Sequence, residues 1–203
     1  KQNHSSLDKL VLSAAYQKHM DSIRITEEGF EFVFSLMYLS RYILSYSLKD
    51  LLKKSNAPII MNIAAPGMNG KVNWDDIQFK KNYNSDKVKF HTSRLNDLLA
   101  VQFSENPSTG NIKYVLFNPW AVRTSGALEV YNSPVKSFFT NLIYKIIGKE
   151  VQEAIIPVIS LLENPPAAKL CAYKQSKMVD LSMETYDKDN ARKLDTITAK
   201  LLQ

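Results

Sequence analysis

The stretch that decides the fold of this chain begins with the run Ile59-Ile60-Met61-Asn62-Ile63-Ala64-Ala65. This run is apolar and has the length of a buried strand. A loop marked by proline and glycine follows it. A helix is then predicted from about Lys87, and it carries the sequence Phe90-His91-Thr92-Ser93-Arg94. The stretch therefore predicts a strand, a long loop and a helix in that order.

This strand, loop and helix resemble the active-site segment of the short-chain dehydrogenases/reductases, in the branch of the retinol dehydrogenases and the WW-domain oxidoreductases. In that branch the strand reads N-V-S-S, a long insert follows, and the helix opens Y-x-x-S-K. The insert here reads Gly70-Lys71-Val72-Asn73-Trp74-Asp75-Asp76, in place of G-K-I-D-F-D-D. Alignment without a gap places the catalytic Ser at Ala65, the Tyr at Phe90 and the Lys at Arg94.

Two earlier segments extend the resemblance toward the start of the chain. The run Leu7-Asp8-Lys9-Leu10-Val11-Leu12 predicts a buried parallel strand. Ser13 and Ala14 end it where the family's N-N-A-G passes close to the adenine ribose. The predicted helix from Phe32 to Lys54 puts Met37 at the position of the fourth catalytic residue, an Asn that holds a proton-relay water. We interpret Met37 as core packing.

The resemblance continues to the end of the chain. A strand from Ile112 to Phe117 leads into Asn118-Pro119-Trp120-Ala121-Val122-Arg123-Thr124, which is similar to the family's H-P-G-V-V-R-T. In the family this loop and its final Thr hold the nicotinamide carboxamide. Trp120 replaces the Gly, so we expect a different backbone or a side chain that intrudes on the pocket. A helix with Pro157 inside it, a strand region from Lys169 and a closing helix from Asp187 follow.

The resemblance implies one domain over residues 1–203, the C-terminal part of a Rossmann-like, doubly wound α/β fold with a parallel sheet. It implies cofactor contacts at Ser13, Ala14, Arg94, Pro119 and Thr124. The family's N-terminal β-α-β-α-β half, with its glycine-rich pyrophosphate loop, is missing from the sequence. We expect this half to be cut from the chain or supplied by another polypeptide. NAD or NADP is expected only where that half is present.

Without that half, the strand at Leu7 is predicted to be an exposed apolar edge. We therefore expect a second copy of the chain or a different partner to cover this strand. Relatives often pair through the two long helices beside the active site.

The substitutions at the four catalytic positions argue against the family reaction. That reaction needs a phenol whose pKa is lowered from about 10 by a neighbouring ammonium. Phe90 has no transferable proton, Ala65 cannot polarise a carbonyl, and the planar guanidinium of Arg94 is a different neighbour from an ammonium. His91 lies about 100° around the helix from Phe90. We interpret it as a surface histidine rather than a replacement acid.

Two other Y-x-x-x-K patterns compete with the one at Phe90. Tyr83 and Lys87 form a literal match, but relatives carry a similar pattern just before the true motif. Tyr173 and Lys177 form a fuller match with Ser160 upstream. Ser160 falls in a predicted helix, and too little chain follows for the nicotinamide loop. We discount both patterns.

Composition limits the other functional classes. The chain has 203 residues, a net charge of +6 and one cysteine, Cys171, so an internal disulfide is excluded. No histidine or cysteine spacing suggests a metal. The lysines are dispersed without a nucleic-acid motif, so no nucleic-acid partner is expected.

No apolar run reaches the roughly 18 residues that span a bilayer. A cytoplasmic protein is expected. We interpret the basic, apolar segment from Ser133 to Gly148 as a lid or packing helix, and contact with a membrane surface is the alternative interpretation.

Three functions follow as hypotheses. The first is a pseudoenzyme that acts by binding, as a scaffold, a regulatory subunit or a ligand sensor. The second is an active NAD(P)-dependent oxidoreductase on an alcohol, ketone or retinoid-like substrate with an altered acid and base. The third is a lipid-binding protein at a membrane surface.

Overall fold

The computed structural model describes residues 4–124 and 133–203 of the chain, and within these the side chains of 134–137 and 140 are not described. Their core is a five-stranded sheet in which the strands follow one another in chain order. The first four strands are parallel and the last is antiparallel. The strands are β1 (Lys9–Leu12), β2 (Ile59–Ile63), β3 (Lys113–Asn118), β4 (Leu170–Lys174) and β5 (Lys177–Met178).

Parallel strands need long crossover connections, and here helices provide them. The helices are α1 (Phe32–Phe34), α2 (Ser40–Ser47), α3 (Lys49–Leu52), α4 (Ser85–Glu105), α5 (Pro134–Ile147), α6 (Val151–Glu163) and, after the last strand, α7 (Lys188–Leu201). A π-helical turn, Ser35–Leu39, joins α1 to α2, and short 3₁₀ turns occupy Pro107–Thr109 and Glu184–Tyr186. The helix predicted from Phe32 is thus present, but a π-helical turn interrupts it at Met37.

Strand β2 shows why the sheet needs a layer on each face. Ile60 joins a large core cluster with residues of α4 and α7, among them Leu95 and Leu194. Ile59 and Met61 point to the opposite face and pack against Val158, Leu161 and Leu162 of α6. Side chains alternate between the faces of a strand, so an apolar strand of this kind must be covered twice. This arrangement confirms the predicted Rossmann-like α/β fold.

The cap at the start of α4 explains a small difference from the predicted helix. Asn84 is extended, and its side chain accepts a hydrogen bond from the backbone N–H of Lys87 at 2.9 Å. An Asn in this position satisfies an N–H that has no partner within the helix. The helix therefore begins at Ser85, two residues before the predicted start.

Strand β1 is less buried than the sequence predicts. Leu12 is buried, but Lys9 is exposed and Val11 is 45% exposed, and both point to the same side of the strand. Among the described residues β1 pairs only with β2. The prediction of a buried strand is therefore wrong for the face with Lys9 and Val11, because the core packs on the side of Leu10 and Leu12. The exposed Val11 agrees with the prediction of an exposed apolar edge.

Candidate functional site

The carboxyl ends of β1, β2 and β3 bring several of the predicted site residues to one edge of the sheet. Leu12, Asn62 and Leu116 lie in register across the three strands. The next residues of each strand are therefore neighbours: Ser13 and Ala14 after β1, Ala65 after β2 and Pro119 after β3. In open parallel sheets ligands bind outside these ends. Ser13 and Ala14 are exposed there.

Arg94 points from α4 toward the end of β2. It is only 3% exposed, and its Nη2 atom donates to the main-chain oxygen of Ala65 at 2.6 Å. The same nitrogen lies 3.1 Å from Oδ2 of Asp97, one turn further along α4. Two of the predicted catalytic positions thus contact each other, but through a structural bond to a main-chain carbonyl. The buried carboxyl group of Asp97 thus lies directly beside the guanidinium of Arg94.

Asp97 connects three parts of the chain at this point. It is fully buried, and it accepts hydrogen bonds from the backbone N–H of Gly67 at 3.3 Å and from the Thr185 hydroxyl at 2.8 Å. Burial raises the pKa of Asp97 to about 7, against the opposing effect of Arg94. Gly67 has φ +69°, and a Cβ there would lie 2.3 Å from Val179. Only glycine fits this approach of the loop to Asp97.

Phe90 lies one turn before Arg94, with its side chain 59% exposed. The first turns of α4 thus present an apolar ring to solvent at the position of the family's tyrosine. The ring supplies no proton to a ligand at this edge of the sheet.

His91 is not the surface histidine that the sequence predicts. It is 4% exposed, and its Nε2 accepts a hydrogen bond from the backbone N–H of Asn73 at 3.0 Å. Its ring meets that of Phe79 edge-on at 4.9 Å. The insert between β2 and α4 folds over this side of the helix, which explains the burial. Desolvation lowers the pKa of His91 to about 4, so the ring is neutral near pH 7 with its proton on Nδ1.

Met37 lies inside the π-helical turn and packs with Val33 and Val88, as core packing predicts. Its main-chain oxygen accepts a hydrogen bond from Nδ2 of Asn96 at 2.8 Å. A π-helical turn shifts the backbone hydrogen-bond pattern of a helix and often lies at a functional position. The sequence does not indicate that Asn96 is a site residue, because its contacts join residues that are far apart in the chain.

Arg41 is a second site residue that the sequence analysis did not assign. It is 2% exposed, and it donates to Oδ1 of Asn62 at 2.5 Å and to the main-chain oxygen of Ala14 at 2.9 Å. Asn62 donates in turn to Asn96 at 2.9 Å and to the Tyr114 hydroxyl at 3.1 Å. Desolvation lowers the pKa of Arg41 to about 10. The signal in the sequence is that Arg41 is the one charged residue of α2.

The loop after β3 keeps a conformation that favours glycine, although it carries Trp120. This residue has φ +65°, and its N–H donates to the side chain of Asn118 at 2.8 Å. The indole is 46% exposed, and the ammonium of Lys174 lies 3.8 Å from its centre. Thr124, the last residue of the predicted nicotinamide loop, is exposed.

The second Y-x-x-x-K pattern does not form a site. Tyr173 lies on β4 and Lys177 on β5, so the two residues belong to a hairpin rather than to one helix face. Ser160 lies in α6, as predicted. Among the described residues there is also no group of three or more His, Cys, Asp or Glu that could hold a metal.

Comparison with known proteins gives two curated relatives of the chain, and no family model matches it. Human retinol dehydrogenase 14 is 24% identical over 172 residues, which cover 83% of this chain and 51% of that protein. Mouse retinol dehydrogenase 13 is 25% identical over 186 residues, which cover 87% of this chain and 55% of that protein. The chain thus spans about half the length of these relatives.

Two solved structures share the fold. A short-chain dehydrogenase from Streptomyces avermitilis matches with a TM-score of 0.50 and 14% identity, covering 97% of this chain and 68% of its own. An uncharacterised protein from Mycobacterium paratuberculosis matches with a TM-score of 0.60 and 13% identity, and the match covers 98% of this chain and 68% of that protein. The fold is therefore that of the Rossmann-like dehydrogenases. By sequence and fold together, the chain is related to the short-chain dehydrogenase/reductase family.

The fold raises the question of whether these residues fit NAD or NADP. Proteins of this type bind the pyrophosphate with a glycine-rich turn at a helix start. The six glycines of this sequence are dispersed and form no such turn. Arg94 contacts Ala65 and Asp97 with the nitrogen that reaches the end of β2. The residues present do not fit the cofactor, and we derive no hydride transfer from them.

No helix among the described residues has both the length and the apolarity needed to cross a bilayer.

Proposed function

We propose that this chain is a catalytically degenerate relative of the short-chain dehydrogenases/reductases and acts by binding. The observation that carries the proposal is the bond of Arg94 to the Ala65 carbonyl, with Asp97 beside it. A cation that lowers the pKa of a phenol must have an unbalanced charge near that phenol. Here Nη2 of Arg94 is held by the Ala65 carbonyl and by Asp97, and the neighbouring ring is Phe90, which has no proton to give.

The titratable ring next to Phe90 is a poor replacement acid, which supports the same conclusion. His91 is the titratable ring next to Phe90, but Asn73 occupies its Nε2 and burial lowers its pKa to about 4. A general acid works best with a pKa near the working pH. NAD or NADP would bind only together with a nucleotide-binding half, whether in the same polypeptide or in a partner. β1 is the strand against which such a half or a second copy would pair.

Turnover measurements on the protein from its native source test this proposal. We expect no oxidation of NADH or NADPH above background with all-trans-retinal and a panel of ketones and aldehydes. The triple variant A65S/F90Y/R94K restores three of the family's four groups and is expected to gain activity only if the cofactor binds. Tyr83→Phe is the matched control, because it changes a tyrosine that lies just before α4 and that belongs to the discounted Y-x-x-x-K pattern. Wild-type turnover that Arg94→Lys or His91→Gln abolishes would overturn the proposal.

A second candidate function, contact with a membrane surface, is favoured by the orientation of α5. Six of its exposed side chains are large and apolar, and Lys145 is exposed beside them: Phe138, Phe139, Leu142, Ile143, Ile146 and Ile147 are 44% to 74% exposed. Its less exposed side carries the polar residues Asn141 and Tyr144. A helix on a globular protein normally turns its apolar side inward. Four exposed residues of α6 extend this surface: Val151, Ile155, Ile156 and Ile159.

The charge near this surface supports an anionic bilayer as its partner. Residues 133–149 contain Lys136, Lys145 and Lys149 and no Asp or Glu, and the acidic residues of the adjoining start of α6 are Glu150, which pairs with Arg123, and Glu153. Helices with apolar and basic residues bind in the plane of anionic membranes, with affinity that depends on both features. We propose a cytoplasmic protein that makes such contact through α5.

Vesicle flotation tests this second function. We expect flotation with vesicles of phosphatidylcholine and phosphatidylserine, weaker flotation with phosphatidylcholine alone, and loss of flotation in F138S/F139S. The control variant I43S/L44S removes two exposed apolar side chains of α2, 39% and 41% exposed, and should float like the wild type. Equal flotation of both variants, or none with either vesicle, would exclude the membrane function.

A further inference from the structure

A cavity of about 180 Å³ lies between the insert after β2, helix α4 and the start of the C-terminal helical region. Its lining includes Lys71, Trp74, Arg94, Leu98, Glu184 and Thr185. The cavity is thus built from three separate parts of the chain. Arg94, the residue whose Nη2 is bound to Ala65 and Asp97, forms part of its wall.

The other two nitrogens of Arg94 have no hydrogen-bond partner. Within residues 4–124 and 133–203, both Nε and Nη1 are buried and unpaired, and the whole side chain is 3% exposed. Buried polar groups in proteins are almost always paired, because an unpaired one loses its bonds to water. A guanidinium only donates hydrogen bonds. The missing partner must therefore be an acceptor.

The charges around the cavity favour an anionic acceptor. Lys71 is exposed at the cavity wall, and the ammonium of Lys193 lies 4.3 Å from the centre of the Trp74 ring. Glu184 is the acidic lining residue, and it is exposed to solvent. Besides Arg94, the charged lining residues are Lys71 and Glu184, and Lys193 adds a second ammonium beside the lining residue Trp74. Guanidinium and ammonium groups together are the usual partners of carboxylates and phosphates.

The remaining wall is apolar and limits the size of the ligand. Leu98 is 2% exposed, and the Trp74 ring is partly buried beside it. Binding sites for small molecules combine such apolar walls with a few polar groups that fix orientation. A volume of about 180 Å³ suits a small molecule rather than a peptide or a dinucleotide.

We propose that this cavity binds a small organic anion, whose carboxylate or phosphate accepts hydrogen bonds from Nε and Nη1 of Arg94. Its apolar part lies against Trp74 and Leu98, and Lys71 adds charge at the entrance. The inference deepens the proposed binding function and rests on it, since it names the ligand class of a protein that acts by binding. The arginine that replaces the family's lysine thereby takes part in a new site.

Isothermal titration calorimetry on the full protein tests the inference with four probes: benzoate, phenyl phosphate, inorganic phosphate and benzyl alcohol. We expect benzoate or phenyl phosphate to bind at least tenfold more tightly than benzyl alcohol, which has the same ring without the charge. The comparison of benzoate with phenyl phosphate identifies the head group. Inorganic phosphate reports the contribution of charge without the apolar part.

Three variants locate the binding. Lys71→Gln should weaken the anion severalfold, and Lys54→Gln, which removes an exposed lysine just before β2, should leave it unchanged. Arg94→Lys keeps a positive charge beside Asp97 but removes the donors, so binding should fall by more than tenfold. Thermal unfolding checks that this variant folds. If it does not, Lys71→Gln and benzyl alcohol still decide the question.

Three results would overturn the inference: no heat of binding with any anion at millimolar concentration, equal affinity for benzyl alcohol and benzoate, or equal effects of Lys71→Gln and Lys54→Gln. None of these results bears on turnover with NADPH. The turnover assay alone can overturn the proposed lack of catalysis, so the two failures are distinguishable.

Discussion

Nη1 of Arg41 lies 2.5 Å from Oδ1 of Asn62, and this bond joins helix α2 to strand β2 inside the core. No carboxylate among the described residues pairs with Arg41, so neutral oxygens alone stabilise its charge. A buried charge without its partners is costly, because water no longer solvates it. Asn62 also donates to Asn96 and Tyr114, so it connects four elements of the fold.

The first prediction concerns this pair. Asn62→Leu removes an acceptor from a buried cation and should lower the free energy of unfolding by about 3 kcal/mol. Arg41→Met should also destabilise the protein, because it leaves Asn62 and the Ala14 carbonyl without a donor. The double variant should lose less free energy of unfolding than the sum of the losses of the two single variants. Urea unfolding measures all three, and strictly additive losses would show that the pair does not interact.

Much of the fold could be predicted from the sequence, because it depends on local patterns. The apolar run from Ile59 indicates a strand without any tertiary information, whereas the start of α4 was placed two residues late because the cap residue Asn84 was not recognised. The site could be predicted only in part. The resemblance locates Ala65 and Arg94, but the bond between them depends on how α4 lies against the end of β2. His91 was misassigned because a distant insert, not the helix pattern, buries it.

The second prediction concerns Asp97 and pH. Its pKa is about 7 in the folded protein and 3.8 when unperturbed, so between these values the folded state holds the extra proton. The free energy of unfolding must then fall as pH rises from 3.8 to 7, by up to about 1.4 kcal/mol per pH unit from this group. Asp97→Asn removes this dependence. We therefore expect the free energy of unfolding of the variant, minus that of the wild type, to rise with pH and to level off above pH 7. Urea unfolding from pH 4 to 8 measures this difference. A constant difference would mean that Asp97 titrates normally.

The third prediction concerns His91, whose effect has the opposite sign. Its pKa is about 4 in the folded protein and 6.5 when unperturbed, so between these values the unfolded state holds the extra proton. Stability from His91 is complete above pH 6.5 and is lost as pH falls toward 4. His91→Gln keeps an acceptor for the N–H of Asn73 and cannot titrate. This variant should gain stability relative to the wild type on acidification over that range. The opposing slopes of Asp97 and His91 partly cancel in the wild type, so only the two variants separate them.

The last prediction concerns the strained backbone at Trp120. Its φ of +65° lies in the left-handed region, which costs residues with a Cβ about 1 kcal/mol and costs glycine almost nothing. Trp120→Ala loses the indole and its contact with Lys174 but keeps the strain, whereas Trp120→Gly loses the same contacts and relieves it. The glycine variant should therefore be more stable than the alanine variant by about 1 kcal/mol in urea unfolding. The reverse order would show that the loop does not hold the left-handed conformation in solution, since a glycine at ordinary φ is less stable than alanine.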